Sequence, residues 1–275
     1  MSEPIHIISL GAGVQSSTMA LMAAHGEITP EPTCAIFADT RREPAATYRH
    51  LDWLERELPF PVHRVSAGDL GEALLVSARG GDRTGSHARP PVYIKADDGT
   101  PGGMVRRQCT GDFKIDPIRR KVRELVGLTR KKSPAYAVVS QWIGISTDEI
   151  YRVKDSREAW QQSRYPLIET RMSRGDCIEW LKRHGYPIPP KSACVFCPYS
   201  SDAQWRNLRQ NDAEGWAHAV EVDSAIRKGL AGPGLKGTLF LHKSLVPLDQ
   251  VVFLTAEDRG QLNMFNNECE GMCGV

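Results

Sequence analysis

The chain has no apolar stretch approaching the roughly 18 residues that a membrane-spanning helix needs, so no transmembrane helix is expected. Its first residues, Met-Ser-Glu-Pro, run straight into a strand-like stretch without a basic-then-apolar leader, and the expected location is cytoplasmic. Cysteine is too sparse and too unevenly placed for a secreted disulfide scaffold: there are seven in 275 residues, and two pairs are closely spaced. Reduced thiols serving metal or redox chemistry are the expectation. Internal repeats and low-complexity segments are absent. An excess of either charge is also lacking, with a formal net charge of only +2.

What is present is a chain of 41% hydrophobic composition, long enough for one sizeable core and a smaller appended module. Charge is distributed unevenly. Arg106, Arg107, Lys114, Arg119, Arg120, Lys121, Arg123, Arg130, Lys131 and Lys132 crowd into one segment, 106–132. Such a block suits a DNA or tRNA backbone, or else it is the solvated face of a basic helix.

Apolar runs alternate with helical periodicity. His6 to Leu10 reads as a strand ending at Gly11, and the helical pattern starts at Gln15. Cys34 to Asp39 reads as a buried strand, Ala45 to Leu58 as an amphipathic helix, and the stretch from Pro61 as a third strand. From about residue 80 to 108 the periodicity gives way to Gly, Pro, Asp and Arg, predicting a long loop outside the core sheet. A helix over Lys114 to Val126 and a strand within Ala135 to Ile145 follow. Helices are expected at Arg174 to His184, Ala203 to Leu208 and Glu214 to Lys228. The expected architecture is α/β, a doubly wound parallel sheet over residues 1–190, with a small helical, cysteine-containing module and tail over 191–275.

The segment Ser9-Leu10-Gly11-Ala12-Gly13-Val14-Gln15-Ser16-Ser17 puts small residues where a strand becomes a helix. Backbone N–H groups and the helix N-terminus there suit phosphate oxygens, with Ser16 and Ser17 as hydroxyl donors. The Lys of a Walker loop and the third Gly of a dinucleotide fingerprint are missing, which excludes both classes. The loop resembles the PP-loop of the adenine-nucleotide alpha-hydrolase superfamily, usually SGGxDS, with Gln15 where that family commonly has Asp. Asp39-Thr40 followed by Arg42-Glu43-Pro44 resembles the strand-end element that approaches ribose and adenine in this group. Arg107 to Pro117, containing Cys109 and Lys114, is similar to a pattern shared by sulfonucleotide reductases and DNA phosphorothioation sulfurtransferases. Gly144 to Arg152, containing Glu149, resembles their GxRxxES-x-x-R segment, with Ser146 in place of the usual Arg. Tyr165-Pro166-Leu167 before the Arg174 helix is a further likeness.

The resemblance implies a doubly wound fold of PP-loop or HUP type that binds ATP or another adenine nucleotide with Mg2+. Ser9, Gly11, Gly13, Gln15, Ser16, Ser17, Asp39, Gly144 and Arg152 would be binding residues. Lys114 would neutralise phosphate or sulfate, and Glu149 would orient a hydroxyl or the magnesium ion.

Cys194-Val195-Phe196-Cys197-Pro198 is a CxxC whose spacing suits zinc, an Fe–S cluster or a redox disulfide. Cys109, Cys269 and Cys273 add soft ligands. The preferred metal set is Cys109, Cys194 and Cys197 with a fourth from the tail, such as Cys273. A [4Fe-4S] cluster is the first expectation and zinc the alternative. The resemblance to the reductases offers another role for Cys269, as a mobile nucleophile. Cys34 and Cys177 read as packing thiols. The expected function is an ATP-dependent sulfurtransferase that adenylylates a nucleic acid and inserts sulfur from a cysteine desulfurase or other donor. The alternatives are a sulfonucleotide reductase, a zinc-containing deazapurine-synthase-like enzyme, and a non-catalytic nucleotide-binding module.

Overall fold

The structure, a computed structural model, describes residues 3–80, 89–129, 132–230, 236–254 and 258. In chain order the elements begin with β1 (Ile5–Leu10), α1 (Val14–Ala24), β2 (Cys34–Ala38), α2 (Ala45–Glu57), β3 (Val62–Val65) and α3 (Leu70–Ala78). Next come β4 (Tyr93–Lys95), β5 (Pro101–Met104) and a π-helical turn at Gly111–Ile115, which leads into α4 (Asp116–Leu125). Then follow β6 (Val139–Ile143), a 3-10 segment at Thr147–Arg152, β7 (Gln161–Arg164), α5 (Pro166–Glu169) and α6 (Arg174–Arg183). Last are α7 (Asp202–Asn211), α8 (Ala213–Ile226) and β8 (Thr238–Phe240).

Two compact units share this chain without being contiguous in it. The first comprises Met1–Ala38, Ala46–Val65 and Asp116–Ser192, and the second Asp39–Ala45, Ser66–Ile115 and Ala193–Val275. No helix among the described residues is long and apolar enough to cross a membrane.

The first unit holds a five-stranded sheet of order β3-β2-β1-β6-β7, every pairing parallel. This is the doubly wound arrangement expected from the alternation of strands and helices. Period-two alternation sends successive strand residues to opposite faces. Ile8, Phe37 and Trp142 join Met19, Leu51 and Trp180 in one core. Ile7, Ile36 and Val139 join Val122 and Trp160 in the other. All five residues of β2 are buried, as a central parallel strand requires. Each large aliphatic side chain so buried contributes roughly 1.5–3 kcal/mol. β7, with the sequence QQSR, carries no hydrophobic signal and joins the sheet as an edge strand through its backbone.

The second unit corrects one expectation. The segment 80–108 is not all loop, because β4 and β5 form within it and make an antiparallel sheet of order β5-β4-β8. The cysteine-containing module therefore includes the short strand β8 beside its helices. Its core packs Leu74, Phe113, Phe196, Trp205, Val222 and Leu239. Asp223, 2% exposed, ties α8 to the segment that follows β8. It accepts the N–H groups of Leu241 at 2.8 Å and Leu248 at 2.9 Å and pairs with Arg227.

Candidate functional site

In the first unit the connections from β1 run through β2 to β3, whereas β6 and β7 lie on the other side of β1. The switch in direction falls between β1 and β6, where the carboxyl ends of adjacent strands leave a ligand crevice. Two loops emerge there, Gly11–Gly13 and Gly144–Ser146. A β-carbon on Gly144 would lie 2.9 Å from the backbone N and Cα of Ser16, so only glycine lets the loops approach this closely. The loop's left-handed residue is Ala12, with φ 54°. Gly11 N–H donates to Ser16 Oγ at 3.1 Å, and the Ser16 hydroxyl donates to the Gly13 carbonyl at 3.3 Å. Gly13 is the N-cap of α1, offers no side chain to the first N–H groups, and no acid stands in the first turn. A helix start left in this state favours an anion.

The serines divide their roles. The Ser17 hydroxyl turns inward to Nε2 of His50 at 3.0 Å, and its N–H donates to the Gly13 carbonyl at 2.9 Å, so its polar groups serve the helix and its packing. Burial lowers the His50 pKa to about 4, which leaves the ring neutral at neutral pH. Ser9 receives the Gln141 amide across the β1–β6 pair.

Gln15 stands between opposite charges. Its Nε2 donates to Glu149 Oε2 at 3.2 Å and approaches Ser146 Oγ at 3.4 Å, while its Oε1 accepts from Arg174 at 3.0 Å. Glu149 is 6% exposed and pairs with Arg152 at 2.6 Å. Asp148 accepts the backbone N–H of Arg174 at 3.0 Å, tying α6 to this corner. An Asp at position 15 would face Glu149 with like charge and no proton to donate. Arg174 brings a guanidinium to a neighbourhood in which Ser146 replaces an expected arginine. Its role was not read from sequence, since it lies 159 residues from Gln15.

The second unit holds Cys109, Cys194 and Cys197. Thr40 Oγ1 lies 3.2 Å from Cys194 Sγ, Glu43 Oε1 lies 4.0 Å from the same sulfur, and Lys114 donates to Glu43 at 3.0 Å. The Glu43 side chain is fully buried. Burial, reinforced by the Glu43 carboxylate, pushes the Cys194 thiol up to about 12. Burial also raises Cys109, with Arg107 and Lys114 opposing it. Cys197 shares the Cys194 turn, its N–H donating to the Cys194 carbonyl at 2.9 Å. Asp39 accepts the Arg41 N–H at 2.7 Å, closing a turn ahead of Thr40. Cys34 and Cys177 are buried packing thiols, raised by burial to about 11 and about 12. Cys269 and Cys273 lie outside the described residues.

Among the described residues, no group of three or more Cys, His, Asp or Glu side chains is close enough to hold a metal ion. Cys109, Cys194 and Cys197 are not placed as the joined set of thiolates that a cluster uses.

Several described residues of the basic segment have internal partners. Arg119 pairs with Asp116, Lys121 with Glu124 and Lys114 with Glu43, while Arg123 donates to Ser133 Oγ and the Leu128 carbonyl beneath Trp160. Its residues up to Ile115 belong to one unit and those from Asp116 to the other.

The first unit is a doubly wound α/β domain with a glycine–serine loop at its switch point, and the second encloses the Cys194 thiol beside Thr40 and Glu43. No family model matches the chain, and no curated protein does either. Among solved structures it is similar to the phosphoadenylyl-sulfate reductase from Candida auris in a phosphate complex. That match has 14% identity, covers 68% of this chain and 76% of that one, and has a TM-score of 0.44. It is also similar to the U34-tRNA thiolase NcsA from Methanococcus maripaludis with its [4Fe-4S] cluster. There the identity is 11%, the coverage 88% and 78%, and the TM-score 0.36. Both likenesses are too distant to carry an argument about chemistry, which rests on this chain's own residues.

Proposed function

We propose that this chain is an ATP-dependent sulfurtransferase of the PP-loop type that acts on nucleic acid. The triphosphate lies on the Gly11–Ser17 loop at the start of α1, and Glu149 would hold the accompanying Mg2+. Gly144 and Arg152 complete the phosphate side. An acceptor oxygen attacks the α-phosphorus and pyrophosphate leaves. The terminal sulfur of a Cys109 persulfide then displaces AMP, and a thiol reductant cleaves the resulting Cys109–acceptor disulfide, releasing the thiolated product and restoring the Cys109 thiol. The observation that carries this reading is the uncapped, acid-free start of α1 at the switch point, held open by Gly144.

Cys109 is the assigned sulfur carrier, because Arg107 and Lys114 partly offset the burial that raises its thiol, whereas at Cys194 the Glu43 carboxylate adds to burial. A cysteine desulfurase or similar donor would charge it with sulfur. A [4Fe-4S] cluster or zinc would draw on Cys109, Cys194, Cys197 and a tail cysteine such as Cys273. Iron, sulfide and zinc analysis of anaerobically purified protein decides that point.

The decisive test is pyrophosphate release from ATP, with and without single-stranded nucleic acid. Acceptor-stimulated release, with a Cys109→Ser variant that still releases pyrophosphate but transfers no sulfur, is the expected result. No release under any condition overturns the proposal. It would favour a sulfonucleotide reductase, which leaves the nucleotide's phosphates uncut and would use Cys269 as its nucleophile. The neutral Gln15 in the loop is the observation favouring that second reading.

A further inference from the structure

In the second unit the segment after β8 makes a turn, with the Leu245 N–H donating to the His242 carbonyl at 3.1 Å. His242 and Asp202 are only 4% and 8% exposed, although both are polar. Neither takes part in the sulfur transfer proposed above. Asp202 is the first residue of α7, and its Oδ1 lies 3.3 Å from Nε2 of His242 across 40 residues of sequence. On the other side of the ring, Nδ1 lies 2.8 Å from the hydroxyl of Ser244, an exposed residue.

These partners fix the tautomer. Burial would raise the Asp202 pKa, but hydrogen bonds and charge from Lys243 and His242 hold it below the usual carboxylate range. An ionised carboxylate only accepts, so the imidazole proton sits on Nε2. Nδ1 is then an acceptor, and it takes the Ser244 backbone N–H at 3.2 Å as well as the hydroxyl. Burial lowers the His242 pKa in spite of Asp202, which leaves the ring neutral at neutral pH. Phe253 sets the ring's orientation by an edge contact, with centroids 5.6 Å apart and planes at 79°. Lys243 shares the same Asp202 oxygen at 3.2 Å and keeps a cation beside the group.

An exposed hydroxyl that donates to a neutral imidazole, itself oriented by a buried carboxylate, is the arrangement that activates serine for acyl transfer. It faces a cavity of about 430 Å3 lined also by Val246, Val251 and Val252. That volume is toward the small end for ligand sites, and the valine wall suits a short acyl chain.

We propose that Ser244, His242 and Asp202 form a hydrolytic site for carboxylic esters with short acyl chains. Ser244 Oγ attacks the ester carbonyl carbon as its proton passes to His242 Nδ1. The alcohol leaves with that proton, and the acyl group stays on Ser244. Water then attacks the acyl carbon and gives a proton to Nδ1. The bond to Oγ breaks, Oγ takes the proton back, and the carboxylic acid departs. Asp202 holds the ring in place and stabilises the imidazolium formed in each half of the reaction.

Two probes test the site on the full chain: a fluorophosphonate, which phosphonylates activated serines, and p-nitrophenyl esters. Labelling is expected at Ser244, located by mass spectrometry of its peptide. Hydrolysis of p-nitrophenyl butyrate is expected, with the dodecanoate, too long for the cavity, turned over more slowly. Ser244→Ala, a change at an exposed position, is expected to unfold at the parent's temperature, to lose the label and to lose roughly 100-fold or more in kcat/KM. Asp202→Asn is expected to lower kcat with KM little changed, because a carboxamide can hold the ring in the opposite tautomer. A folded parent that is not labelled at Ser244 overturns the site, as does ester hydrolysis unchanged in Ser244→Ala. Ser244 would then serve only to cap the His242 ring within its turn.

Discussion

Gln15 is a neutral side chain doing what a charged one in its place would undo. Its amide donates to Glu149 and accepts from Arg174, so it satisfies a carboxylate and a guanidinium at once. Gln15→Asp shortens the side chain by one methylene and sets two carboxylates against each other. It is expected to destabilise the chain by about 1–3 kcal/mol through the donor lost to a buried carboxylate. Adding Glu149→Gln removes the repulsion and should recover part of the loss, measured by urea unfolding as a double-mutant cycle. Additive losses would show that Gln15 and Glu149 are not coupled.

At the scale of elements, the phosphate loop depends on how closely two strand ends converge. Gly144→Ala pushes a methyl group into the backbone of Ser16, where no flexible side chain can yield. Such overpacking costs typically 1–3 kcal/mol, and the displaced start of α1 should bind ATP more weakly. Calorimetric titration with ATP checks this, and unchanged affinity would separate the loop's geometry from nucleotide binding. The elements themselves differ in how readily they are read. β2 is apolar and buried throughout and β1 is mostly apolar, so their runs stand out. β5 is Pro-Gly-Gly-Met, exposed throughout, and β7 is entirely polar. Those strands exist because a neighbouring strand offers its hydrogen bonds, a condition no local pattern records.

At the scale of the whole molecule, burial raises four thiols among the described residues: Cys34 to about 11, Cys177 and Cys194 to about 12, and Cys109 in the same direction. In the unfolded chain a thiol titrates near roughly 8.5. The folded values are higher, so the contribution is intact below pH 8.5 and is lost as pH rises toward the folded pKa. Stability is expected to fall steeply between pH 8.5 and 11, by up to about 1.4 kcal/mol per pH unit for each thiol. Cys177→Ala should flatten that alkaline limb, although it opens a small cavity at every pH. Unfolding midpoints measured across this range check the slope, and an unchanged slope in the variant would place the titration elsewhere.

The alternation of apolar runs, the glycine–serine loop and the CxxC belong to local sequence. Backbone propensity and side-chain period act over a few residues, and from them the doubly wound sheet and the place of the loop on it were already determined. The partnership of Gln15 with Arg174, and the enclosure of Cys194 by Thr40 and Glu43, span 159, 154 and 151 residues. So too the withdrawal of the Ser17 hydroxyl to His50 and the approach of His242 to Asp202 were decided only in the tertiary structure. Charge, burial and proton affinity depend on which distant groups the fold brings together, and that choice is made by packing.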